Sequence, residues 1–322
     1  MDLTSECNRN CPDCPSTTSV DSHNLDPEFV ERLFSALQGQ TSGLLLTGGE
    51  PTMSPLFPDV LRSAREHGFS DIAIVTNGGF LDRDAVADAL LSHATAVRVS
   101  LYDWTEETHE ELDATLKRIE TLRSLIEKRK SKLEIGASVL TFKEKAGAVG
   151  HIIKKVRSAG AHWIYFHPLC LRWDSGSPVQ SDQRGVVEFI EEMKSLETEG
   201  FRIFVFNERY NLRRLAFTGY HTAHFLLVVG ADGMNYLGAE VKYQPNHIIA
   251  DLKNDWDEGF LWKQQRLEKI QSVKSDSYPA IGSRHRGVLY NDLIDRFMNG
   301  RSEKQPEKLF DPDEDFYCPH IL

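Results

Sequence analysis

Cys7, Cys11 and Cys14 place three of the five cysteines of this 322-residue chain within eight positions. A Cys-x3-Cys-x2-Cys loop can wrap three thiolates around one metal centre, because the short spacers let the chain turn while each sulfur points inward. The number three is informative. A closed structural zinc site takes four protein ligands, and so does an ordinary electron-transfer iron–sulfur cluster. Three cysteines on a cubane cluster leave one iron without a protein ligand, open to a substrate or cofactor. Competing readings of the cysteines alone are a zinc knuckle completed by His23, in a structural or regulatory protein, and three unrelated thiols. A second short signal, Thr47-Gly48-Gly49-Glu50-Pro51, ends the apolar run Leu44-Leu45-Leu46, about where a first strand-helix-strand crossover would finish.

With both stretches in view, the sequence resembles the radical S-adenosylmethionine (SAM) superfamily, whose cluster loop has this spacing and whose first crossover is followed by Gly-Gly-Glu. The resemblance implies a [4Fe-4S] cluster ligated by Cys7, Cys11 and Cys14. SAM would chelate the open iron and be cleaved reductively to a 5′-deoxyadenosyl radical that abstracts a hydrogen atom. Gly48, Gly49 and Glu50 would meet the SAM amino end, where glycine permits close backbone approach and a carboxylate suits an ammonium. Asn77, Ser100, Asp103 and Thr141 are the other cofactor-side candidates; for Asn77 and Ser100 the alternative is a simple strand-end cap. The electron would come from a donor such as flavodoxin or ferredoxin. One position departs from the family pattern. Many members carry an aromatic residue just before the third cysteine to contact adenine, whereas this chain has Asp13, so adenine packing is expected elsewhere, around Phe166 or Leu169.

The elements that must position these residues alternate regularly. Met1 to Glu6 leaves room for a stub of a first strand. Asp26-Pro27-Glu28 reads as a helix start, with Val30, Leu33, Phe34 and Leu37 at helical spacing. Strands are expected over Ser42 to Thr47, Asp71 to Val75, Ala96 to Ser100, Leu133 to Thr141 and His162 to His167. Helices are expected over Leu56 to His67, Asp82 to Leu91, Glu106 to Lys130 and Glu144 to Ala159. Such alternation predicts an α/β fold with a parallel sheet and right-handed crossovers. The resemblance makes it a partial (β/α)6 barrel of TIM-like type. In parallel α/β folds chemistry collects at the carboxyl ends of strands, here Glu50, Asn77, Ser100 with Asp103, Thr141, and His167 with Cys170.

Near Ser175 the pattern changes. A helix over Gly185 to Glu199 and one more strand over Phe201 to Phe206 complete a core assigned to residues 1–206. Residues 207–322 form an α+β extension, in which two apolar segments flank Asp232-Gly233 from Phe225 to Leu237, a strong hairpin signal. This order is similar to the SPASM or twitch extension of radical SAM enzymes. Gly238 stands where that extension has a cysteine, and His221 and His224 near where another would be, so the extension is expected without a cluster. Two helices, about Asp257 to Val273 and Val288 to Asn299, precede an acidic tail.

Composition bounds the partners. Hydrophobic content of 40% and charged content of 26% suit an ordinary soluble globular protein, and a net charge of −11 argues against a nucleic-acid partner. No apolar run reaches membrane-span length, no signal segment opens the chain, and the cysteine usage points to a reducing cytoplasm. The segment Phe166 to Asp174 gathers His167, Cys170, Arg172, Trp173 and Asp174 at the expected barrel mouth and suits a polar ligand by stacking and charged hydrogen bonds. Cys170 and Cys318 are candidate hydrogen-atom donors to a substrate radical, buried small hydrophobes being the alternative. The expected substrate is a small polar metabolite, such as a sugar, nucleoside or aminoglycoside-like molecule undergoing epimerisation, dehydration, dehydrogenation or decarboxylation in natural product biosynthesis. Maturation of a ribosomally made peptide is the alternative.

Overall fold

The computed structural model of the chain describes residues 1–11, 14, 21–102, 109–141, 143–168, 184–205, 210, 217–274, 278, 290–291, 294–295 and 297–298. Seven strands, β1 (Asp2–Thr4), β2 (Gly43–Gly48), β3 (Asp71–Thr76), β4 (Ala96–Leu101), β5 (Glu134–Thr141), β6 (Trp163–Pro168) and β7 (Arg202–Val205), pair in parallel in sequence order. The strand expected over 201–206 joins this sheet beside β6, so the sheet is one strand larger than six units. β1 and β7 stand at its two ends, and the sheet is unclosed, as in a partial TIM-like barrel.

Helices α1 (Pro27–Leu37), α2 (Phe57–Glu66), α3 (Asp84–His93), α4 (Glu110–Arg129), α5 (Val149–Ser158) and α6 (Arg184–Glu192) form the crossovers. The start of α1 follows from its sequence. The Asp26 carboxylate accepts the Phe29 N–H at 2.7 Å, and Pro27 occupies the first turn, where its missing N–H is not needed. Phe29, Val30, Leu33, Phe34 and Leu37 then share one buried face.

Strand parity sorts the sheet into two faces. Val97, Val99, Leu101, Ile135, Ala137, Val139, Ile164, Phe166 and Ile203 belong to the core shared with the helices. The alternating residues Ser100, Gly136, Ser138, Trp163, Tyr165, His167 and Phe204 therefore share the inner face. At its amino end a Cβ on Gly136 would fall 2.1 Å from the Trp163 ring, so glycine is what lets that indole fill the inner face, edge-on to Phe204 at 6.3 Å.

After the parallel sheet, β8 (Val228–Val229), β9 (Met234–Tyr236) and β10 (Ile248–Asp251) make a small antiparallel sheet. The β8–β9 turn has Gly233 at φ +81°, a left-handed conformation that favours glycine. A second core gathers around it from Phe217, Tyr220, Leu237, Val241, Ile249, Ile270, Val273 and Tyr278. Lys242 Nζ donates to both Asp2 carboxylate oxygens at 2.7 and 2.6 Å, and the Tyr243 hydroxyl adds a third bond at 2.8 Å. This buried pair ties the extension to β1.

Helix α7 (Gln264–Ser272) starts later than Asp257, because the Asp257 side chain accepts the Gly259 N–H at 2.7 Å and holds that segment in a turn. Tyr290, Asn291, Ile294, Asp295, Phe297 and Met298 are helical. Among the described residues no helix is long and apolar enough to cross a membrane.

Candidate metal centre and cofactor face

β1 is only three residues long, and its continuation, Ser5 to Cys7, is placed by the end of β2. Gly49 N–H donates to Thr4 O at 2.8 Å and Glu50 N–H to Glu6 O at 2.7 Å. A Cβ on Gly49 would fall 2.0 Å from Glu6 O; one on Gly48, at φ +126°, would fall 2.4 Å from Thr4 O. The glycine pair is thus required by the cluster loop's own backbone, which crosses directly over it.

Glu50 is 1% exposed. Its Oε1 accepts from the Thr52 N–H at 3.1 Å, the Thr76 hydroxyl at 2.7 Å and the Thr52 hydroxyl, and its Oε2 accepts the Asn77 N–H at 2.7 Å. The carboxylate caps the turn at Pro51–Met53 and joins the ends of β2 and β3. Asn77 carries the connection onward. Its Nδ2 donates to Asn8 Oδ1 at 2.7 Å and lies 3.7 Å from Cys7 Sγ, while its Oδ1 accepts the Gly79 N–H at 2.8 Å. Cys7 Sγ also accepts the Arg9 N–H at 3.4 Å.

The loop then crosses to β4. Cys11 lies beside Tyr102, the residue that follows that strand. Arg9 lies over the Tyr102 ring at 4.5 Å from its centroid and pairs with Glu111, in the first turn of α4, at 2.6 Å. Cys14 N–H donates back to Cys11 O at 3.2 Å. Cys7 therefore sits by the end of β3 and Cys11 by the end of β4.

Electrostatics favours the neutral thiols of Cys7 and Cys11. Burial is the largest influence raising Cys7, with Glu50 and Cys14 acting in the same direction against the donors from Arg9 and Asn77. Burial likewise raises Cys11, with the neighbouring Tyr102 hydroxyl acting against it. Loading a metal must therefore expel protons. Among the described residues no three His, Cys, Asp or Glu side chains converge on a single metal position. A cubane asks for no such convergence, since each thiolate binds its own iron. Three half-buried thiols on one short loop, Cys7 with donors on its sulfur, fit a cluster of this kind.

Of the other candidates, Ser100 lies on the inner face, 3.5 Å from the Ser138 hydroxyl on β5. Thr141 does not join it. Thr141 shares the parity of Ile135, Ala137 and Val139, is fully buried, and its hydroxyl is 3.0 Å from Tyr210 Oη. Phe166 is turned into the helix-side core, which corrects the expectation that it packs adenine; the inner-face aromatics there are Tyr165 and His167, stacked at 5.2 Å. Asp103, Cys170 and Cys318 lie outside the described residues, as do Asp13, Leu169 and residues 171–174. In the extension, a side chain at Gly238 would meet the hydroxyls of Tyr220 and Tyr278 at 2.7 and 2.8 Å. Those tyrosines stack at 4.7 Å and both donate to Glu240 Oε1 at 2.6 Å. His221 Nε2 lies 3.1 Å from Asp295 Oδ1. Sequence reasoning missed Asn8, Arg9, Thr76 and Tyr102. For Tyr102 a signal existed, since it continues the Arg98, Ser100 alternation.

An unclosed parallel α/β sheet, with Cys7 and Cys11 by the carboxyl ends of β3 and β4, has the architecture of a partial TIM-like barrel. Comparison with known proteins agrees. Residues 1–143 match the family model of the radical SAM superfamily. The 7,8-dihydro-6-hydroxymethylpterin dimethyltransferase of Methanocaldococcus jannaschii is 31% identical over 83 residues, 24% of this chain and 16% of that protein. A probable GTP 3′,8-cyclase of Saccharolobus islandicus is 24% identical over 213 residues, 62% of this chain and 67% of that protein. Streptococcus suis SuiB bound to S-adenosylmethionine has a similar fold, with a TM-score of 0.64 at 12% identity over 84% of this chain and 66% of that one. The chain thus spans a sixth to two thirds of these proteins' lengths. Its residues 1–143 thus carry a radical SAM domain, of a family that uses a [4Fe-4S] cluster and SAM.

Proposed function

We propose that the chain is a radical SAM enzyme acting on a small polar metabolite, with Cys7, Cys11 and Cys14 holding the cluster. When bound, the cluster and SAM supply a 5′-deoxyadenosyl radical that takes a hydrogen atom from the substrate. The chain's own residues place the parts. Gly48 and Gly49 admit the loop backbone, Glu50 fixes the turn and the Asn77 N–H, Asn77 positions the loop beside Cys7, and Ser100 faces the cofactor side. Residues 1–206 are taken as the catalytic core and 207–322 as the extension, with reduction by a flavodoxin or ferredoxin. The observation that supports the substrate class is the inner face above Trp163, where the partly exposed Ser100 and His167 carry a hydroxyl and an imidazole, backed by the buried Ser138 and Tyr165. Two similar proteins bear names that refer to a nucleotide and a pterin, both polar ring compounds.

A second reading, maturation of a peptide, is favoured by the fold likeness to SuiB, which has also been solved bound to its precursor peptide SuiA. One experiment separates them. The reduced, cluster-loaded protein is incubated with SAM and panels of nucleotides, pterins and sugars on one side and peptides on the other, and 5′-deoxyadenosine is measured. Stimulation by a small polar compound supports the first reading; stimulation by peptides alone overturns it in favour of the second.

A further inference from the structure

We propose that the extension and the segment returning from the cysteine loop form a second binding site, for a small zwitterion of amino-acid chemistry, apart from the inner face of the parallel sheet. One wall is residues 21–24. Ser5 N–H donates to His23 O at 2.9 Å and His23 N–H to the Ser5 hydroxyl at 2.8 Å, which fixes this segment against the end of β1. The side chains of Ser22 and Asn24 both donate to Glu6 Oε1, Asn24 at 3.3 Å. Alternation along an extended segment then turns Asp21 and His23 to the other side, where both line a cavity of about 580 Å³.

The facing wall comes from the small antiparallel sheet. Met234 and Tyr236 project from one face of β9, and Tyr243 stands beside Tyr236 with ring centroids 5.8 Å apart. Asp232 accepts the Met234 N–H at 3.1 Å and the Tyr236 hydroxyl, which hold its carboxylate at the cavity. The Lys253 stem crosses the β8–β9 turn, its Cβ 2.9 Å from where a Cβ on Gly233 would stand. Among the described residues neither Asp21 nor Lys253 forms an ion pair, although the two line one cavity with opposite charges. Both charges are thus left for a third party. A plain cation would face Lys253 and a plain anion would face two carboxylates, whereas a zwitterion answers both signs, its ammonium toward Asp21 and Asp232 and its carboxylate toward Lys253. The tyrosine rings and Met234 offer an apolar surface to a side chain, and the volume is that of a small-molecule site. The site is independent of the cluster assignment.

Isothermal titration calorimetry of the full chain tests it, with phenylalanine, the dipeptide phenylalanyl-leucine, phenylalanine amide and N-acetylphenylalanine as probes. The zwitterions should bind, and loss of one charge in the amide or the acetyl compound should weaken binding about tenfold or more. Asp21→Asn and Lys253→Gln should each weaken the zwitterions by about the same factor. Both side chains are exposed and lose no ion pair, so melting temperatures should be unchanged. Asp21→Asn should leave N-acetylphenylalanine unaffected, and Lys253→Gln should leave the amide unaffected. Tighter binding of phenylalanine assigns the site to a free amino acid, and tighter binding of the dipeptide assigns it to a short peptide. No binding of either zwitterion overturns the proposal, as does binding that the amide matches or that either variant leaves unchanged.

Discussion

Glu50 Oε2 accepts the Asn77 N–H at 2.7 Å, and the Asn77 side chain in turn lies 3.7 Å from Cys7 Sγ, so the motif after β2 reaches the first cysteine through the end of β3. Glu50→Gln puts an amide N–H against a cluster of donors and leaves at least one of them unpaired in a site that is 1% exposed. A loss of about 1–3 kcal/mol is expected. Urea unfolding of the metal-free protein measures it, and iron uptake should fall in parallel because Asn77 loses its anchor.

Gly49→Ala tests whether the glycine serves the loop backbone. Its Cβ would stand 2.0 Å from Glu6 O, whereas a Cβ on Gly43 would meet nothing within 4 Å. Gly49→Ala should cost about 1–3 kcal/mol by overpacking and impair iron loading. Gly43→Ala, at the start of β2, should do neither, with melting temperature and iron content as the readouts.

The extension is held to β1 by the Lys242–Asp2 pair, 7% and 1% exposed. Lys242→Met leaves the Asp2 carboxylate buried with Tyr243 as its remaining side-chain donor, and a cost of about 3–5 kcal/mol follows. The double variant Asp2→Asn/Lys242→Met should recover part of it, which unfolding titrations of the set will show.

Stability should also fall on mild acidification. His162, His247, His224 and His93 all have lowered pKa values, burial being the largest cause in each; Arg123 adds to it at His162 and Lys269 at His247. A histidine whose folded pKa lies below the ordinary value of about 6.5 binds protons more readily when unfolded. Its stabilisation is complete above that value and is lost as pH falls from there through the folded pKa. Urea midpoints at about pH 7.5 and about pH 5.5 should differ accordingly, and His162→Gln should reduce the difference.

Much of the fold is legible in the sequence because buried parallel strands write themselves as short apolar runs separated by amphipathic helices. Leu44 to Leu46 and Ile72 to Val75 are examples. The cysteine loop and Gly48-Gly49-Glu50 are legible because their spacing is local. What spacing does not convey is the face a strand-end residue takes. Thr141 and Phe166 sit at carboxyl ends, yet parity turns both toward the helix side, while their neighbours Ser138, Tyr165 and His167 face inward. Nor does sequence distance reveal contacts that form only when separate elements meet. Tyr102 reaches Cys11 and Arg9 reaches Glu111 because the loop from β1 is laid across the ends of β3 and β4.

The central claim is one open-site cluster on three cysteines, and it is most directly tested by anaerobic iron and sulfide quantification with the electron paramagnetic resonance spectrum of the reduced protein. The wild type and the Cys7/Cys11/Cys14 triple alanine variant are compared with and without SAM. The account predicts about four irons per chain, a spectrum perturbed by SAM, and loss of both in the variant. About eight irons, half of them surviving in the variant, would contradict it by placing a second cluster elsewhere in the chain.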